Sequence, residues 1–348
     1  MRAVFHVGRP TPAYAQIQPV PVDSLQRTIL LGSFLFDQFA YCPIIAALSV
    51  RLRRIYRRHL AGIAVWAATI TAMLAAHTAA TAQDAGRLLA TSGVSQIEGA
   101  GGGGLVPWAL ITGYGTRDSV GANAHYTLGY LPDFTLHSTG ASVGVLDRVE
   151  LSYAHQWFDT RQVGAKLGLG AGYQFQLDVV GAKVRLFGNA VYDQDSWVPQ
   201  VAAGVQLKTN NQHATLRAIG AQSASSADFY LAATKLFLAE SLLLNVTVRA
   251  TKANQFGLLG FGGDRGGGYS AQFEGSVALL LTRNLAVGAE IRTKPDNLGF
   301  AKEGTAYDAF AAYFINKNVS ATLGVVALGS VARQSGQTGL YLSLQGGF

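Results

Sequence analysis

Short segments of strictly alternating polarity are the feature of this sequence that most restricts its fold. In SLLLNVTVRATK, residues 241–252, apolar side chains alternate with polar ones such as Asn245 and Arg249. Residues 271–282 and 285–294 repeat the pattern. Side chains with a period of two lie on opposite faces of an extended chain, so each segment is predicted to be a β-strand with one apolar and one polar face.

The same pattern recurs from about residue 121 to the C-terminus, in segments separated alternately by tight and longer turns. Fourteen strands are predicted, near residues 121–131, 134–145, 149–158, 163–174, 178–188, 198–208, 213–222, 227–239, 242–252, 269–282, 285–295, 305–316, 319–330 and 338–348. The pair of segments between residues 160 and 178 alternates least clearly, so a count of twelve strands stays open.

Composition favours a membrane barrel over a soluble sandwich, although both architectures show alternation. Charged residues make up only 14% of the chain, against about 25% in soluble domains. After residue 83 no apolar stretch reaches the ~20 residues that a membrane helix needs. Since only helices and closed sheets satisfy the backbone within hydrocarbon, the predicted fold class is all-β, a transmembrane antiparallel β-barrel.

The predicted connections differ in length in the way that outer-membrane barrels require. Those at 240–241, 283–284 and 316–318 are tight, whereas those at 253–269 and 295–304 are long. Short turns are periplasmic and long loops external in such barrels, so both termini are predicted to be periplasmic. Aromatic residues also gather near strand ends, where a barrel has interfacial girdles: Tyr130, Trp157, Phe158, Tyr192, Trp197, Tyr307 and Tyr313.

The N-terminal quarter carries a predicted export signal. Residues 51–82 combine a basic region, an apolar stretch and the small residues Ala80-Thr81-Ala82, which predicts a signal peptide cleaved after Ala82. An uncleaved membrane anchor is the alternative. Residues 1–50 precede this signal, contain the only cysteine, and are interpreted as an upstream extension from a start site placed too early.

The net charge of +7 does not indicate a nucleic-acid partner. Residues 1–83 hold eight Lys/Arg and two Asp/Glu, which leaves 19 basic and 18 acidic residues in the remainder. The exported part is therefore nearly neutral, and no nucleic-acid binding is predicted.

Residues 83–120 form a predicted glycine-rich segment before the barrel at 121–348. Four consecutive glycines lack the Lys-Ser/Thr of a phosphate loop, so nucleotide binding is not predicted. A flexible linker and a small plug that enters the barrel are both open. The plug candidates are Gly101, Gly102, Gly103, Gly104, Pro107 and Trp108.

Two patterns hint at hydrolase chemistry without its expected context. Residues 140–144, GASVG, match G-x-S-x-G around Ser142, but the motif needs a strand–elbow–helix context and here lies within a predicted strand. His125, His137 and His155 fall on three consecutive predicted strands, yet His125 and His155 have opposite parity. No catalytic, cofactor-binding or metal residue is assigned, and no cofactor is predicted.

Charged residues on the polar strand faces are the stronger functional lead. If the apolar faces point outward, nine charged residues line the lumen, six basic and three acidic: Glu150, Lys183, Arg185, Lys208, Arg249, Glu274, Glu290, Arg292 and Lys294. In a dry lumen they would pair and brace the wall. In a wet lumen the slight basic excess would favour small anionic solutes.

Four stretches together resemble a family of uncharacterised proteobacterial outer-membrane proteins, known only as a domain of unknown function. They are EGAGGGGLVPWALITGYGT (98–116), GVLDRVELSYAHQWFDT (144–160), VVGAKVRLFG (179–188) and VPQVAAGVQLK (198–208). The resemblance covers nearly all of the chain after about residue 85. It implies a signal-peptide-bearing β-barrel, and it brings no substrate, cofactor or catalytic residue.

The sequence is thus interpreted as a monomeric barrel exported to the outer membrane of a Gram-negative bacterium. Its expected partners are outer-membrane lipid, a small solute and the barrel-insertion machinery, which would recognise the C-terminal strand through Phe348. A passive channel or uptake pore for small solutes is the leading hypothesis, so no enzyme is predicted. A sealed barrel with a structural or adhesive role through its external loops is the second, and an outer-membrane lipid hydrolase is the third.

Overall fold

The computed structural model describes residues 89–90 and 93–348. The predicted upstream extension at 1–50 and the predicted signal peptide at 51–82 lie outside the described residues. A two-stranded hairpin of β1 (Val94–Ser95) and β2 (Gly101–Gly102) precedes the main sheet. The sheet strands are β3 (Val120–Tyr130), β4 (Thr135–Val145), β5 (Val149–Asp159), β6 (Gln174–Phe187), β7 (Gln200–Asn210), β8 (Ser225–Phe237), β9 (Leu242–Thr251), β10 (Ser270–Leu280), β11 (Leu285–Arg292), β12 (Ala306–Phe314), β13 (Val319–Ala327) and β14 (Thr338–Gly347).

Strands β3 to β14 form one closed antiparallel barrel of twelve strands. Each strand pairs with its neighbours in sequence, and β14 closes the sheet by pairing with β3, where Leu344 lies opposite Tyr126. The predicted all-β barrel is confirmed, with the lower of the two strand counts considered. Closure leaves no open sheet edge, which is what a strand-built membrane span requires.

Two of the fourteen predicted strands are not strands. The segment at 163–174 contains the end of helix α1 (Arg161–Lys166) and a glycine-rich turn, and the one at 213–222 contains helix α2 (His213–Ala218). In the first segment, small and apolar residues alternate, but glycines such as Gly168 and Gly170 adopt positive φ, which breaks an extended strand. In the second, Leu216 is buried and Ile219, three residues later, packs beside the core, a helical spacing.

The apolar strand faces point outward and the polar faces inward. On β9, Leu244, Val246 and Val248 are 40% or more exposed, whereas Asn245 and Arg249 are 3% exposed or less. A soluble sandwich would show the opposite arrangement, so this exterior is suited to lipid. No helix in the described part of the chain is long and apolar enough to cross a bilayer.

Most connections keep the predicted asymmetry between the two ends of the barrel. At the end that carries the C-terminus, the connections 146–148, 238–241, 281–284 and 315–318 are tight. The connection at 188–199 is a longer exception at this end, and 131–134 is a short one at the opposite end. Phe348 closes the sheet at the first end, where its amide donates to the Ala122 carbonyl oxygen at 2.9 Å and its own carbonyl oxygen accepts from the Ala122 amide at 2.9 Å.

The barrel interior is occupied by residues 93–112, which we call the lumen segment. Its amides and carbonyls bond to inward side chains all round the wall. The Ser95 amide donates to Gln345 Oε1 of β14 at 2.8 Å, and the Ala109 amide donates to Thr234 Oγ1 of β8 at 2.7 Å. Val94, Ile97, Leu105, Val106, Trp108 and Leu110 of this segment are buried in the apolar core. The core therefore lies inside the barrel and is completed by the lumen segment.

Candidate functional site

All nine charged residues that parity assigns to the lumen have buried side chains. Eight of them are at most 7% exposed, and the Lys294 side chain is 1% exposed. Four acidic residues missing from the predicted set are buried with them: Asp228 of β8, Asp308 of β12, Glu98 of the lumen segment and Glu303 of the loop at 293–305. The interior consequently holds a balanced set of charges.

The wall charges form an ion-pair network across neighbouring strands. Lys208 Nζ lies 2.7 Å from Asp228 Oδ2, and Arg249 Nε lies 2.5 Å from Glu274 Oε1. Glu274 Oε1 also lies 3.1 Å from Arg292 Nε, so one carboxylate links two guanidinium groups. Charges removed from water are costly unless paired, and this pairing is what makes a polar interior tolerable here.

Glu98 adds a carboxylate from the lumen segment to this network. It is fully buried and pairs with Lys208, and its Oε2 lies 3.0 Å from Arg292 Nη2 and 3.9 Å from Arg249 Nη2. These three cations belong to β7, β11 and β9. A single side chain of the lumen segment thus contacts three strands through charge, which fixes the position of the segment in the barrel.

Glu150 and Lys183 hold a second part of the lumen segment. Glu150 accepts hydrogen bonds from the Gly101 amide at 3.0 Å and from the Thr112 amide at 2.8 Å. Lys183 Nζ donates to the carbonyl oxygens of Gly101 and Trp108, both at 3.1 Å, and lies 3.0 Å from Glu150 Oε2. The pair satisfies backbone groups that would otherwise be buried without partners.

A third anchor is Glu290 of β11. Glu290 Oε2 accepts from the amides of Leu105 at 2.6 Å and Val106 at 3.2 Å. Trp108 Nε1 donates to Ser276 Oγ at 2.9 Å, and that hydroxyl in turn donates to Glu290 Oε1 at 2.6 Å. The indole is 4% exposed, so Trp108 lies inside the barrel and not at an interface.

Close approach to the wall explains the run of four glycines. A Cβ on Gly103 would lie 2.0 Å from Glu290 Oε1, and one on Gly102 would lie 2.2 Å from the Val106 carbonyl oxygen. Any side chain at these two positions would displace the backbone from its anchors. Loop flexibility alone, as in a linker, would not require glycine at these particular residues.

A loop at residues 252–269, which we call the inward loop, covers the lumen at the end remote from the C-terminus. Phe256, Leu258, Leu259 and Phe261 are at most 5% exposed, whereas Asp264 is exposed. The first half of the loop is therefore folded into the barrel. This half constricts the lumen at that end of the barrel.

The inward loop is held by a buried pair formed by Lys294 and Glu303. Lys294 Nζ lies 3.1 Å from Glu303 Oε2 and donates to Gln255 Oε1 at 2.8 Å, while the Gln255 amide donates to Glu303 Oε1 at 2.8 Å. Burial lowers the pKa of Lys294 and raises the pKa of Glu303, and their mutual attraction opposes both changes. The contact between Lys294 and Glu303 ties this loop to the one at 293–305.

The residues considered for hydrolase chemistry do not meet on one face. Ser142 and His125 are buried and face the interior, where Ser142 Oγ donates to Thr112 Oγ1 at 2.9 Å. His137 and His155 face outward, and His155 Nδ1 lies 2.7 Å from Asp178 Oδ1. A lipid-hydrolase site would need a serine, a histidine and an acidic or amide side chain together on one outward face, and Ser142 lies on the inward face instead. Among the described residues there is also no cluster of His, Cys, Asp and Glu that could hold a metal ion.

A closed antiparallel barrel with an apolar exterior and a polar, paired interior defines the class of outer-membrane β-barrels. Residues 91–345 match a family described as a protein of unknown function, DUF3034, and the chain belongs to this family. The resemblance found in the sequence is thereby confirmed. No curated protein is similar to the chain.

Several solved outer-membrane structures have a similar barrel. The KdgM porin is 14% identical, with 65% of this chain and 99% of that chain covered and a TM-score of 0.42. The COG4313 outer membrane channel from Pseudomonas putida F1 is 14% identical, with 70% and 97% covered and a TM-score of 0.40. The outer membrane phospholipase A from Escherichia coli is 9% identical, with 68% and 93% covered and a TM-score of 0.35. These identities are too low to transfer a substrate or an activity to this chain.

Proposed function

We propose that the chain is an uptake pore for small solutes, whose lumen is closed by residues 93–112 and opens when this segment moves. The observation that carries the proposal is the pairing within the wall. Lys208 with Asp228, Arg249 with Glu274 and Lys183 with Glu150 are ion pairs between wall strands, independent of the lumen segment. These three pairs do not depend on the segment and remain when it leaves, and a wall lined by charged side chains can border a water-filled pathway.

A barrel whose lumen stays closed does not need charged side chains on its inner wall. Well-packed apolar residues usually replace a buried ion-pair network at no cost in stability. The wall strands instead present five basic side chains, those of Lys183, Arg185, Lys208, Arg249 and Arg292, against five acidic ones, namely Glu150, Asp228, Glu274, Glu290 and Asp308. Lys294 and Glu303 of the loop at 293–305 add one charge of each sign. This balance supports a mixed-charge pathway without the slight basic excess that the sequence suggested. Export through a signal peptide at 51–82 is part of the same proposal.

Single-channel conductance in planar bilayers tests the proposal. The refolded chain from Gln83 is compared with a variant that lacks residues 93–112 and with a control that lacks loop residues 264–268, of which Asp264, Arg265 and Gly268 are exposed. We expect rare openings of the complete chain, larger and stable steps without the lumen segment, and unchanged behaviour of the control. Reversal potentials in a salt gradient then report the ion selectivity of the pathway, which we expect to be weak because charges of both signs line it in equal number.

A sealed barrel with a structural or adhesive role is the second candidate function. It is favoured by Glu98, which adds three further charge contacts that bind the lumen segment in place. If neither the complete chain nor the deletion variant conducts, although heat-modifiable bands show that both are folded, the pore proposal is contradicted. The sealed barrel is then the remaining candidate.

A further inference from the structure

Two acidic side chains of the barrel interior lie side by side without a cation. Glu290 of β11 and Asp308 of β12 are directly opposite each other in the sheet, and both face inward, at 4% and 5% exposure. Side chains paired in this way have Cβ atoms about 5 Å apart. Among the described residues neither carboxylate forms an ion pair. The other five buried acidic side chains each form at least one, namely Glu98, Glu150, Asp228, Glu274 and Glu303.

The arginine beside this pair is bound to other carboxylates. Arg292 follows Glu290 by two residues on the same face of β11. Its Nη2 lies 3.0 Å from Glu98 Oε2, and its Nε lies 3.1 Å from Glu274 Oε1. The charge of Arg292 therefore offsets those two carboxylates. Glu290 and Asp308 together would keep two uncompensated negative charges if both were ionised.

The side chains that contact the pair from the other strands carry no charge at neutral pH. Tyr341 OH of β14 donates to Asp308 Oδ2 at 2.9 Å, and Ser276 Oγ of β10 donates to Glu290 Oε1 at 2.6 Å. Val326 of β13 lies opposite Asp308. Asp308 Oδ1 has no hydrogen-bond partner in the described part of the chain. A buried carboxylate oxygen without a donor is costly, whereas the same oxygen with a proton becomes a donor itself.

The lumen segment packs directly against both carboxyl groups. A Cβ on Gly103 would lie 2.0 Å from Glu290 Oε1, and one on Gly104 would lie 2.6 Å from Asp308 Oδ2. Glu290 Oε2 also accepts from the amides of residues 105–106. A change in the distance between the two carboxyl groups would therefore displace this part of the backbone.

We propose that Glu290 and Asp308 share one proton and that this proton keeps the lumen segment in place. Two ionised carboxylates at this spacing, away from water, repel each other, so the pair binds a proton. The proton removes the repulsion and supplies the donor that the pair lacks.

The proton makes the closed position of the lumen segment dependent on pH. The held state binds a proton that a released, water-filled state would lose, so the held state is favoured at low pH and weakened as the pH rises. For one proton, the ratio of held to released segment changes by at most about tenfold per pH unit. Only the effect of this change on opening rests on the proposed pore function.

Infrared spectroscopy and hydrogen exchange of the refolded chain, between about pH 6 and pH 9, test the proposal. A protonated carboxyl group has a carbonyl stretch that carboxylates lack. We expect this band at the low end of the range and its loss as the pH rises. In Asp308→Asn it should be absent throughout, because Glu290 then ionises without a like charge beside it.

Amide exchange at residues 105–106 measures the hold on the lumen segment. Exchange in the unmodified chain should accelerate relative to Asp308→Asn at the same pH, by up to about tenfold per pH unit. Comparison at equal pH removes the intrinsic pH dependence of amide exchange. Tyr341→Phe is the matched control. It removes the hydrogen bond to Asp308 and keeps both carboxyl groups, so the band and its loss with rising pH should persist.

Absence of the band from the unmodified chain at about pH 6 would overturn the shared proton. A ratio of exchange rates that stays constant with pH would overturn its role in holding the segment. If Asp308→Asn does not give a heat-modifiable folded band, the infrared titration of the unmodified chain decides, because a band that is absent or independent of pH contradicts the proposal. Neither measurement uses conductance. A chain that passes no current would leave this proposal intact, and an absent band would leave the pore proposal intact.

Discussion

Glu150 and Lys183 lie directly opposite each other on β5 and β6, and both bond to Gly101 of the lumen segment, one to its amide and the other to its carbonyl oxygen. An ion pair of the wall therefore serves also as an anchor for the backbone inside the barrel. Because both backbone polar groups of one residue are held by opposite charges, the anchor resists sliding of the segment in either direction.

Glu150→Gln should loosen this anchor without removing its shape. A carboxylate can accept from the amides of both Gly101 and Thr112, whereas a carboxamide accepts from one and turns N–H groups toward the other. A loss of about 1–2 kcal/mol implies roughly 5–30-fold faster amide exchange at these two residues. Hydrogen exchange with mass spectrometry measures it. Glu274→Gln is the control, since the ion pairs of Glu274 go to Arg249 and Arg292 of the wall; equal acceleration in both variants would contradict the anchor.

Gly102→Ala should displace the turn that follows it. The added Cβ would lie 2.2 Å from the Val106 carbonyl oxygen, and that oxygen accepts from the Gly103 amide at 2.9 Å. We expect faster exchange over residues 101–106 and more frequent channel openings. Gly268→Ala is matched to it, because no atom lies within 4 Å of a Cβ there. Similar behaviour of the two variants would mean that the glycine run has no packing role.

Arg249→Met should strongly destabilise the barrel. Arg249 is 1% exposed and bonds to Glu274 and to Gln206 Oε1 at 2.6 Å. Removing one partner of a buried ion pair typically costs about 3–5 kcal/mol, because the remaining charge stays buried. Urea unfolding of the refolded barrel in lipid vesicles measures the change in its free energy of unfolding. Arg249→Lys keeps the charge but loses the planar guanidinium group, so an intermediate loss in free energy of unfolding is expected. If Arg249→Met is as stable as the unmodified chain, water must reach this network.

Val246→Arg tests which face of β9 meets lipid. Val246 is 57% exposed at the middle of the strand, and an arginine on the lipid face near the bilayer midplane costs about 2–4 kcal/mol. Leu238→Arg, in the turn beyond β8, should cost about 0–1 kcal/mol because it lies near the interface. Unfolding of the two variants in lipid vesicles gives the loss in free energy of unfolding for each. Equal losses would mean that the face of β9 that carries Val246 does not contact the hydrocarbon.

Phe348→Ala should impair assembly in cells and leave refolding in detergent unchanged. The Phe348 side chain is 42% exposed, while its backbone closes the sheet against Ala122. Alanine keeps the backbone hydrogen bonds, so a lower amount of folded protein in the outer membrane would report recognition of the aromatic ring by the insertion machinery. Heat-modifiable protein in outer-membrane fractions is the measurement. Leu344→Ala, an outward residue of the same strand, is the control, and an equal defect there would assign the effect to lipid contact.

The barrel was predictable from the sequence because a period of two is set by the strand itself. Parity placed Arg249 inside and Val246 outside, and the structure agrees for both. The predicted strand at 163–174 lay in the region of weakest alternation, whereas the one at 213–222 was expected as firmly as the others; in both, glycine, alanine and single apolar residues alternate without forming a strand. When small side chains make up half of each face of a segment, its residue pattern does not distinguish a weak strand from a turn.

The partners of the inward charges were harder to foresee. Asp308 lies on an inward face that also carries Phe310 and Phe314, so polarity does not mark that face. Glu98 belongs to a segment without any regular period, and only the three-dimensional fold brings it to Arg292. Parity was therefore enough to place the nine predicted charges, but not to find Asp228 and Asp308 or what fills the space between them.

The pairing of β14 with β3 determines when the barrel can close. Of the barrel strands, β14 is synthesised last, and it must find Tyr126 and its neighbours more than two hundred residues upstream. Until then both edge strands have unpaired backbone groups and can pair with other chains. A chain without β14 would keep two open edges, and we expect it to aggregate instead of forming a smaller pore.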